Sequence, residues 1–237
     1  MNRLQRMTLA AALLLLSAPL ARAQTADPSG HWQGSLQIPG REVTFEIDLA
    51  RNGTGDFAGT TGLPAEGIKG LPLRSVVVAG ASVSFDARRD QPFRGVLSAD
   101  GKSISGDATL SGYVLPFSMV RTGDAEIARP AKSAPIGRDL EGTWDAAFED
   151  SGATRHIVLT MTNHADGTAT GRLINTDEGG LEIPLVIAQK ASNVTLETTV
   201  LKGMSFSGAL NADGTELSGA ITQGSMTVPV TFRRAAK

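Results

Sequence analysis

The chain has 237 residues, with 22 lysines and arginines against 24 acidic residues, and it contains no cysteine. This balance argues against a nucleic-acid-binding protein, because neutralising phosphates requires clustered Lys and Arg. Without cysteine, disulfides and thiolate metal ligands are excluded, so stability has to come from packing.

The first 23 residues have the layout of a cleaved signal peptide. Arg3 and Arg6 form a positive amino-terminal region, an apolar run follows, and Ala21-Arg22-Ala23 has the small-x-small form of a cleavage site. A transmembrane anchor is the alternative, but the apolar run is too short to span a bilayer and polar sequence follows it. Removing the three arginines leaves 19 basic and 24 acidic residues. We expect a periplasmic or secreted bacterial protein with no membrane span after cleavage.

Beyond this segment, the apolar residues recur with a period of two. Residues 42–49 alternate strictly between polar and apolar, as in a strand with one buried face. Such runs end at Gly, Asn-Gly or Asp-Gly about every 8–12 residues, which is typical of a meander of antiparallel strands. The pattern predicts about eight strands in the first part of the chain, near residues 31–38, 42–50, 55–61, 70–78, 82–88, 93–98, 103–110 and 113–121.

The whole strand pattern occurs twice. FRGVLSADGKSISG at 93–106 returns as FSGALNADGTELSG at 206–219, and Gly30-His31-Trp32 matches Gly142-Thr143-Trp144. The offset is 112 early in the repeat and 113 late, which indicates a tandem duplication of a unit of about 92 residues. We predict a first barrel over 24–123, an Ala/Pro-rich linker over 124–141 and a second barrel over 142–237.

The predicted fold class is therefore all-β, with two tandem small antiparallel barrels of about eight strands in a meander. A closed barrel is favoured because a flat open sheet would leave its edge strands unprotected. Four prolines lie inside the apolar strand patterns, at Pro72, Pro116, Pro184 and Pro229. Proline has no amide to donate to a neighbouring strand, so these positions predict bulges, strand starts or edges where a barrel is kinked or locally open.

The conspicuous acids of both copies are interpreted as turn residues. Asp100, Asp166 and Asp213 each precede a glycine. Such a pair forms a hairpin turn, because glycine accepts a positive φ and the Asp side chain bonds the local backbone.

The second copy resembles a bacterial exported β-module that occurs alone or ahead of secreted α/β-hydrolase domains. The likeness is carried by Gly142-x-Trp144, Leu210 to Gly214, Leu217-Ser218-Gly219, Gln223-Gly224, Val228-Pro229-Val230 and Arg234. In the first copy, the segment from Gly67 to Leu73 resembles the Gly-x-x-Gly-Ile-Pro part of that module.

A second resemblance, to lipocalin-like barrels, rests on GxW in the first strand and Arg in the last strand of each copy. In that family the indole packs across the closed end of the barrel under the Arg side chain. The resemblance implies that Trp32 with Arg121, and Trp144 with Arg234, close one end of each barrel. If a ligand pocket exists, we expect Phe45, Ile47, Phe85 and Phe117 to line it, although a small barrel can be filled by its own side chains.

Sequence motifs for catalysis are missing. The nearest approach to GxSxG is the stretch 203–208, where the final glycine comes one position late on a strand pattern. His31, His156 and His164 have no HxH or HExxH spacing, which favours exposed or turn histidines over a metal site. His31 precedes Trp32 and is expected on the opposite, solvent-facing side. We expect no catalytic residues, no metal and no cofactor.

The expected function is that of a non-enzymatic binding or interaction protein. One hypothesis is a small apolar ligand held inside a barrel or between the two. The alternative is an accessory or structural module that docks another exported protein, such as a hydrolase.

Overall fold

Alternation along the sequence places every second side chain inside a barrel, and the fold follows from this. The computed structural model describes residues 27–127, 132–150, 152–177 and 180–235. The predicted signal peptide, residues 1–23, lies outside these ranges. Within them the structure has seventeen β-strands, and one short 3-10 turn at Pro64–Glu66 is the only helical element. The prediction of an all-β fold with two tandem antiparallel barrels is confirmed.

The first repeat forms a nine-stranded antiparallel sheet that curls into a barrel but, unlike the second repeat, is not closed, because its two end strands do not pair with each other. Phe45, Ile47 and Leu49 point inward and are at most 4% exposed, as the alternation predicts. The strands are β1 (Gly30–Ile38), β2 (Arg41–Arg51), β3 (Phe57–Leu63), β4 (Ile68–Pro72), β5 (Arg74–Ala79), β6 (Ser82–Arg88), β7 (Gln91–Leu97), β8 (Ser103–Leu110) and β9 (Tyr113–Gly123).

The single strand predicted near 70–78 is wrong, because the structure breaks it into β4 and β5. Only Leu73 separates them, and they form the two ends of the sheet, whose order is β4-β3-β2-β1-β9-β8-β7-β6-β5. Ser75 has a φ of 49°, and the pairing of β5 with β6 shifts register between Arg74 and Val77. A serine in the left-handed region bends the chain, so one continuous strand cannot form here.

The second repeat forms a closed eight-stranded barrel. Its strands are β10 (Gly142–Asp150), β11 (Ala153–Asn163), β12 (Ala169–Asn175), β13 (Leu181–Lys190), β14 (Asn193–Glu197), β15 (Met204–Leu210), β16 (Glu216–Gln223) and β17 (Met226–Arg234). Here the counterpart of β4 and β5 is the unbroken β13, which pairs first with β12 and then with β14. The seam between β10 and β17 is short, with only Trp144↔Arg234 and Asp145↔Arg233 in register.

The four prolines lie where a strand has a neighbour on one side. Pro72 ends β4, and Pro184 precedes the part of β13 that pairs with β14. Pro116 pairs with β8 but lies just beyond the part of β9 that pairs with β1. Pro229 pairs with β16 where β17 has already separated from β10. Each proline thus occupies a place where no ladder amide is needed, as predicted.

The Asp-Gly turns are also confirmed. Gly101, Gly167 and Gly214 have φ between 70° and 77°. The Asp100 carboxylate accepts a hydrogen bond from Ser98 Oγ at 2.6 Å, and Asp213 accepts one from Thr215 Oγ1 at 2.7 Å. These bonds hold the pKa of both carboxyl groups below the ordinary value.

The segment between the repeats is anchored at both of its ends. On the first barrel, the backbone amide of Glu126 donates to the Asp48 carboxylate at 2.9 Å. On the second, Ser133 pairs with Ala169, and its Oγ accepts the amide of Ile187 at 2.7 Å. Ile136 is buried in the core of the second barrel. The second half of the predicted linker therefore packs as part of that barrel.

Strand β4 joins the two repeats directly. The amide of Lys69 donates to the carbonyl of Val200 at 3.0 Å, and Ile68 forms a β-bridge with Leu201. Ile68 and Leu71 belong to the hydrophobic core of the second barrel, although they lie in the first repeat. Strand β4 thus pairs with β3 in the first repeat and at the same time covers part of the second barrel.

Shortening Ile68 should destabilise the protein. We expect I68A to lower the free energy of unfolding by about 2–4 kcal/mol, because Ile68 is only 7% exposed and its removal leaves a cavity between the repeats. Urea denaturation followed by circular dichroism measures this loss. The control V77A removes a side chain that is 55% exposed on β5 and should change stability by less than about 0.5 kcal/mol. Equal effects of the two variants would contradict the packing of β4 on the second barrel.

The bond between Glu141 and Asn163 should make stability depend on pH. The backbone amide and the side-chain amide of Asn163 donate to this carboxylate at 3.0 and 3.2 Å and hold the pKa of Glu141 below its ordinary value. A lowered folded-state pKa contributes stability above the unfolded pKa, and this contribution is lost as the pH falls through the folded pKa. The stability difference between wild type and E141Q should therefore shrink from pH 7 to about pH 3. Urea denaturation across this range measures it, and a constant difference would contradict the assignment.

Candidate functional site

One end of each barrel is closed by an arginine lying over a tryptophan. The guanidinium carbon of Arg121 lies 4.7 Å from the centre of the Trp32 ring, and that of Arg234 lies 4.2 Å from the Trp144 ring. Both indoles are fully buried. In both repeats the two residues are also direct cross-strand partners of the first and last strands. The structure thus brings together the pairs that the sequence singled out, at cation–π distance.

Each arginine also binds the chain that leads into the first strand. Arg234 donates from Nη1 to the carbonyl of Glu141 at 2.8 Å, from Nε to that of Gly214 at 3.0 Å, and from Nη2 to that of Asp139. Trp144 Nε1 donates to the carbonyl of Leu140 at 3.0 Å. The first repeat does the same with Arg121, which donates to carbonyls of residues 27 and 29. Through these bonds, each arginine holds backbone segments across the closed end of its barrel.

Aromatic rings fill the interior of the first barrel. Phe93 lies 5.0 Å from Phe85, 5.2 Å from Phe117 and 5.6 Å from Phe45, measured between ring centres. Of the four residues predicted to line a pocket, Phe45 lines the cavity at the open end of this barrel. Ile47, Phe85 and Phe117 pack deeper, among the buried core residues, and are not part of that lining.

Each barrel has a cavity at the end opposite its Trp–Arg pair. The first mouth cavity, of about 240 Å³, is lined mainly by apolar side chains, including Leu36, Val43, Phe45, Leu63, Phe93 and Leu110. The second mouth cavity, of about 330 Å³, is lined mainly by Phe148, Ile157, Ile183, Met204, Ile221 and Val228. Deeper in the second barrel only about 10 Å³ of space remains. Small-molecule sites are typically about 300–1,000 Å³, a range that the second mouth cavity reaches and the first does not reach alone.

The two mouth cavities share a wall. Glu66, Arg88 and Leu181 line both of them. Glu66 ends the 3-10 turn, and Gly67 follows with a φ of 67°, which reverses the chain between the two barrels. Leu181 is the first residue of β13 in the second repeat. The site is therefore built from both repeats.

Charge on the shared wall is not neutralised within the protein. Among the described residues, neither the Arg88 guanidinium nor the Glu66 carboxylate forms an ion pair or a side-chain hydrogen bond, and the same holds for Arg41 in the first mouth cavity. Arg88 is half-buried. The formal sum of these two cations and one carboxylate is one positive charge, at an opening that is mainly apolar but also contains the polar side chains of Thr61, Gln91, Asn175 and Gln223.

The three histidines considered in the sequence lie apart from one another and do not form a common site. His31 lies on the outer face of β1, where Nδ1 is 2.9 Å from the buried Asp48 carboxylate, so it is less solvent-exposed than expected. His156 contacts Asp177 at 3.2 Å, and His164 Nε2 contacts Thr170 Oγ1 at 2.8 Å. Across the described ranges, no three His, Asp or Glu residues are grouped in a way that could hold a metal ion. In the same ranges no helix has the length and apolar character needed to cross a membrane.

Two solved structures resemble the chain only remotely. One is a candidate outer membrane protein from Bacteroides fragilis, which is 12% identical to this chain. The aligned region covers 87% of this chain and 97% of that protein, with a TM-score of 0.28. The other is a protein of unknown function from the DUF3598 family of Nostoc punctiforme, 12% identical, covering 87% and 96%, with a TM-score of 0.27. No family model and no curated protein matches the sequence. Scores this low carry no argument about function.

Sequence reasoning missed Glu66, Arg88 and Leu181. Strict alternation from Phe85 and Ala87 places Arg88 on the outer face of β6. The pairing of β6 with β7 contains a bulge, since Asp86 opposes Pro92 while Arg88 opposes Gln91, with Ala87 extra. A bulge redirects the following side chain, which brings Arg88 to the mouth. Two consecutive arginines, Arg88 and Arg89, at the end of a strand with apolar residues are the sequence signal that could have indicated this position of Arg88.

Removing the cation over Trp144 should weaken the second barrel. We expect R234M to lower the free energy of unfolding by about 2–4 kcal/mol, because it removes the stacking and the bonds to backbone carbonyls. The neighbouring R233M removes only an exposed ion pair with Glu216 at 3.1 Å and should cost less than about 1 kcal/mol. Thermal and urea denaturation measure both. A loss for R234M no larger than that for R233M would contradict a closing role for Arg234.

Proposed function

We propose that this chain is a non-enzymatic binding protein that holds a small apolar molecule between the facing mouths of its two barrels. The observation that carries the proposal is the wall shared by the two mouth cavities. Because Leu181 and Arg88 come from different repeats, a ligand on this wall would contact both. Under this proposal both repeats are needed for binding, since one barrel alone would provide only one side of the site.

The distribution of free space supports the proposal. The Trp–Arg pairs seal the far ends, and side chains fill both interiors, so within the barrels a ligand can be accommodated at the mouths. At the second mouth, β17 separates from β10 after two residue pairs. Phe148 and Val228 border the cavity on either side of this gap.

We further propose that the protein acts outside the cytoplasm, as a periplasmic or secreted bacterial protein. The support is the signal-peptide pattern of residues 1–23. The absence of cysteine is compatible with either location, because the packed barrel cores provide the stability.

Docking of another exported protein is the second candidate function. It is favoured by apolar side chains on the outer surface of the first barrel, where Val96 is 57% and Val120 is 52% exposed. Native mass spectrometry of the protein purified from its own host would distinguish the two, by a bound small molecule or by a bound protein.

Binding of a neutral apolar dye tests the proposal. We expect the protein to bind Nile red saturably, and L181N to weaken this binding about tenfold, because an amide on the apolar wall must be desolvated. Fluorescence titration measures the affinity. The control V96N changes an exposed residue on the outer face of β7 and should bind the dye as wild type does. The absence of saturable binding to wild type, or equal affinities of L181N and V96N, would overturn the proposal.

A further inference from the structure

We propose that the ligand of the shared wall is an amphiphile with one anionic head group, which binds the Arg88 guanidinium while its apolar tail occupies the second mouth cavity. This inference depends on the proposed function, since it specifies the chemical class of the ligand at the same site.

The position of Arg88 is the first observation behind this inference. Its side chain is half-buried, it lines both cavities, and among the described residues it has no ion-pair partner. A guanidinium next to apolar side chains is weakly screened, so it interacts more strongly with an anion than a fully exposed arginine does. Carboxylate, sulfate and phosphate groups all match its fork of N–H donors.

The surrounding charges favour a head group with one negative charge, with Arg41 and Glu66, which are exposed, acting more weakly than the half-buried Arg88. Arg41 adds a second cation on the side of the first mouth cavity, and Glu66 places a carboxylate on the shared wall. The three groups together carry about one net positive charge. A monoanion neutralises this site, whereas a dianion would meet the Glu66 carboxylate.

The tail is assigned to the second cavity because this is the larger of the two, at about 330 Å³ against about 240 Å³. Its lining residues Leu173, Met204 and Ile221 also border the small space left inside the second barrel. The floor of the first cavity is instead formed by Phe45 and Phe93, which belong to the packed aromatic cluster. A flexible alkyl chain thus has more room at the second mouth than at the first, and it stays at the mouth because the space of about 10 Å³ deeper in the second barrel does not admit it.

Competition between two matched probes tests this assignment. Decanoate and decan-1-ol have the same chain length and differ in the charge of the head group. We expect decanoate to displace Nile red from wild type about tenfold more effectively than decanol at neutral pH. In R88Q this ratio should fall to near one, while R88K should keep part of it. Because the ratio is formed within one variant, a general loss of stability cancels.

Two further measurements complete the test. The control R94Q removes an exposed arginine on the outer face of β7 and should keep the wild-type ratio. If R88Q does not fold, the salt dependence of wild type replaces it. The preference for decanoate should then decrease between about 0.05 and 0.5 M NaCl, because salt screens the charge interaction.

The outcomes separate this inference from the proposed function. If Nile red binds but decanoate and decanol compete equally, the anionic head group is wrong and the apolar site stands. If R88Q and R94Q show the same preference, the head group does not bind Arg88. If Nile red does not bind at all, the proposed function fails and the inference fails with it.

Discussion

The arginine over the tryptophan is the contact on which both barrels depend. A meander closes only where its first and last strands meet, and in the second barrel this seam has two residue pairs, one of which is Trp144↔Arg234. The arginine therefore reinforces the backbone ladder at its shortest point and also binds the chain that leads into the first strand. In the second barrel the ladder between the first and last strands is therefore concentrated at the end closed by the arginine, whereas β1 and β9 of the first repeat pair over six residues, from His31 to Leu36.

The two copies diverged at the strand opposite this seam. In the second repeat β13 runs unbroken, whereas in the first repeat the strand is divided at Leu73 into β4 and β5, two residues before the bend at Ser75. The backbone amide of Lys69 in β4 donates a hydrogen bond to a carbonyl of the second repeat, and Ile68 is buried in the core of the second barrel. A purely symmetric pair of barrels would lack this connection. The asymmetry fixes the mouths against each other, so the shared wall exists only in the duplicated protein.

Whether the sequence predicts a structural feature depends on whether the interactions that produce it follow the alternation of the strands. Strands, Asp-Gly turns and the proximity of each Trp to its Arg depend on alternation and on residues paired across neighbouring strands, so the pattern predicts them. The break at Leu73, the bend at Ser75 and the bulge at Ala87 are local features of the backbone that alternation does not encode. Alternation correctly predicts that Phe85 and Phe117 point into the barrel. Their depth in the barrel depends on the stagger of the strands, which alternation does not determine. Contacts between repeats have no periodic signal at all.

The position of Arg88 at a mouth, outside the filled interior, is energetically reasonable. A guanidinium buried among the phenylalanines would require a partner, since an isolated charge in an apolar core costs several kcal/mol. At the rim its aliphatic stem can cover apolar surface while the charged group keeps part of its hydration. The free protein can therefore hold Arg88 without a counter-ion at little cost. An anionic group arriving with an apolar chain would displace water from the cavity and neutralise the charge in one step, which makes the rim a better place for selective binding than the core.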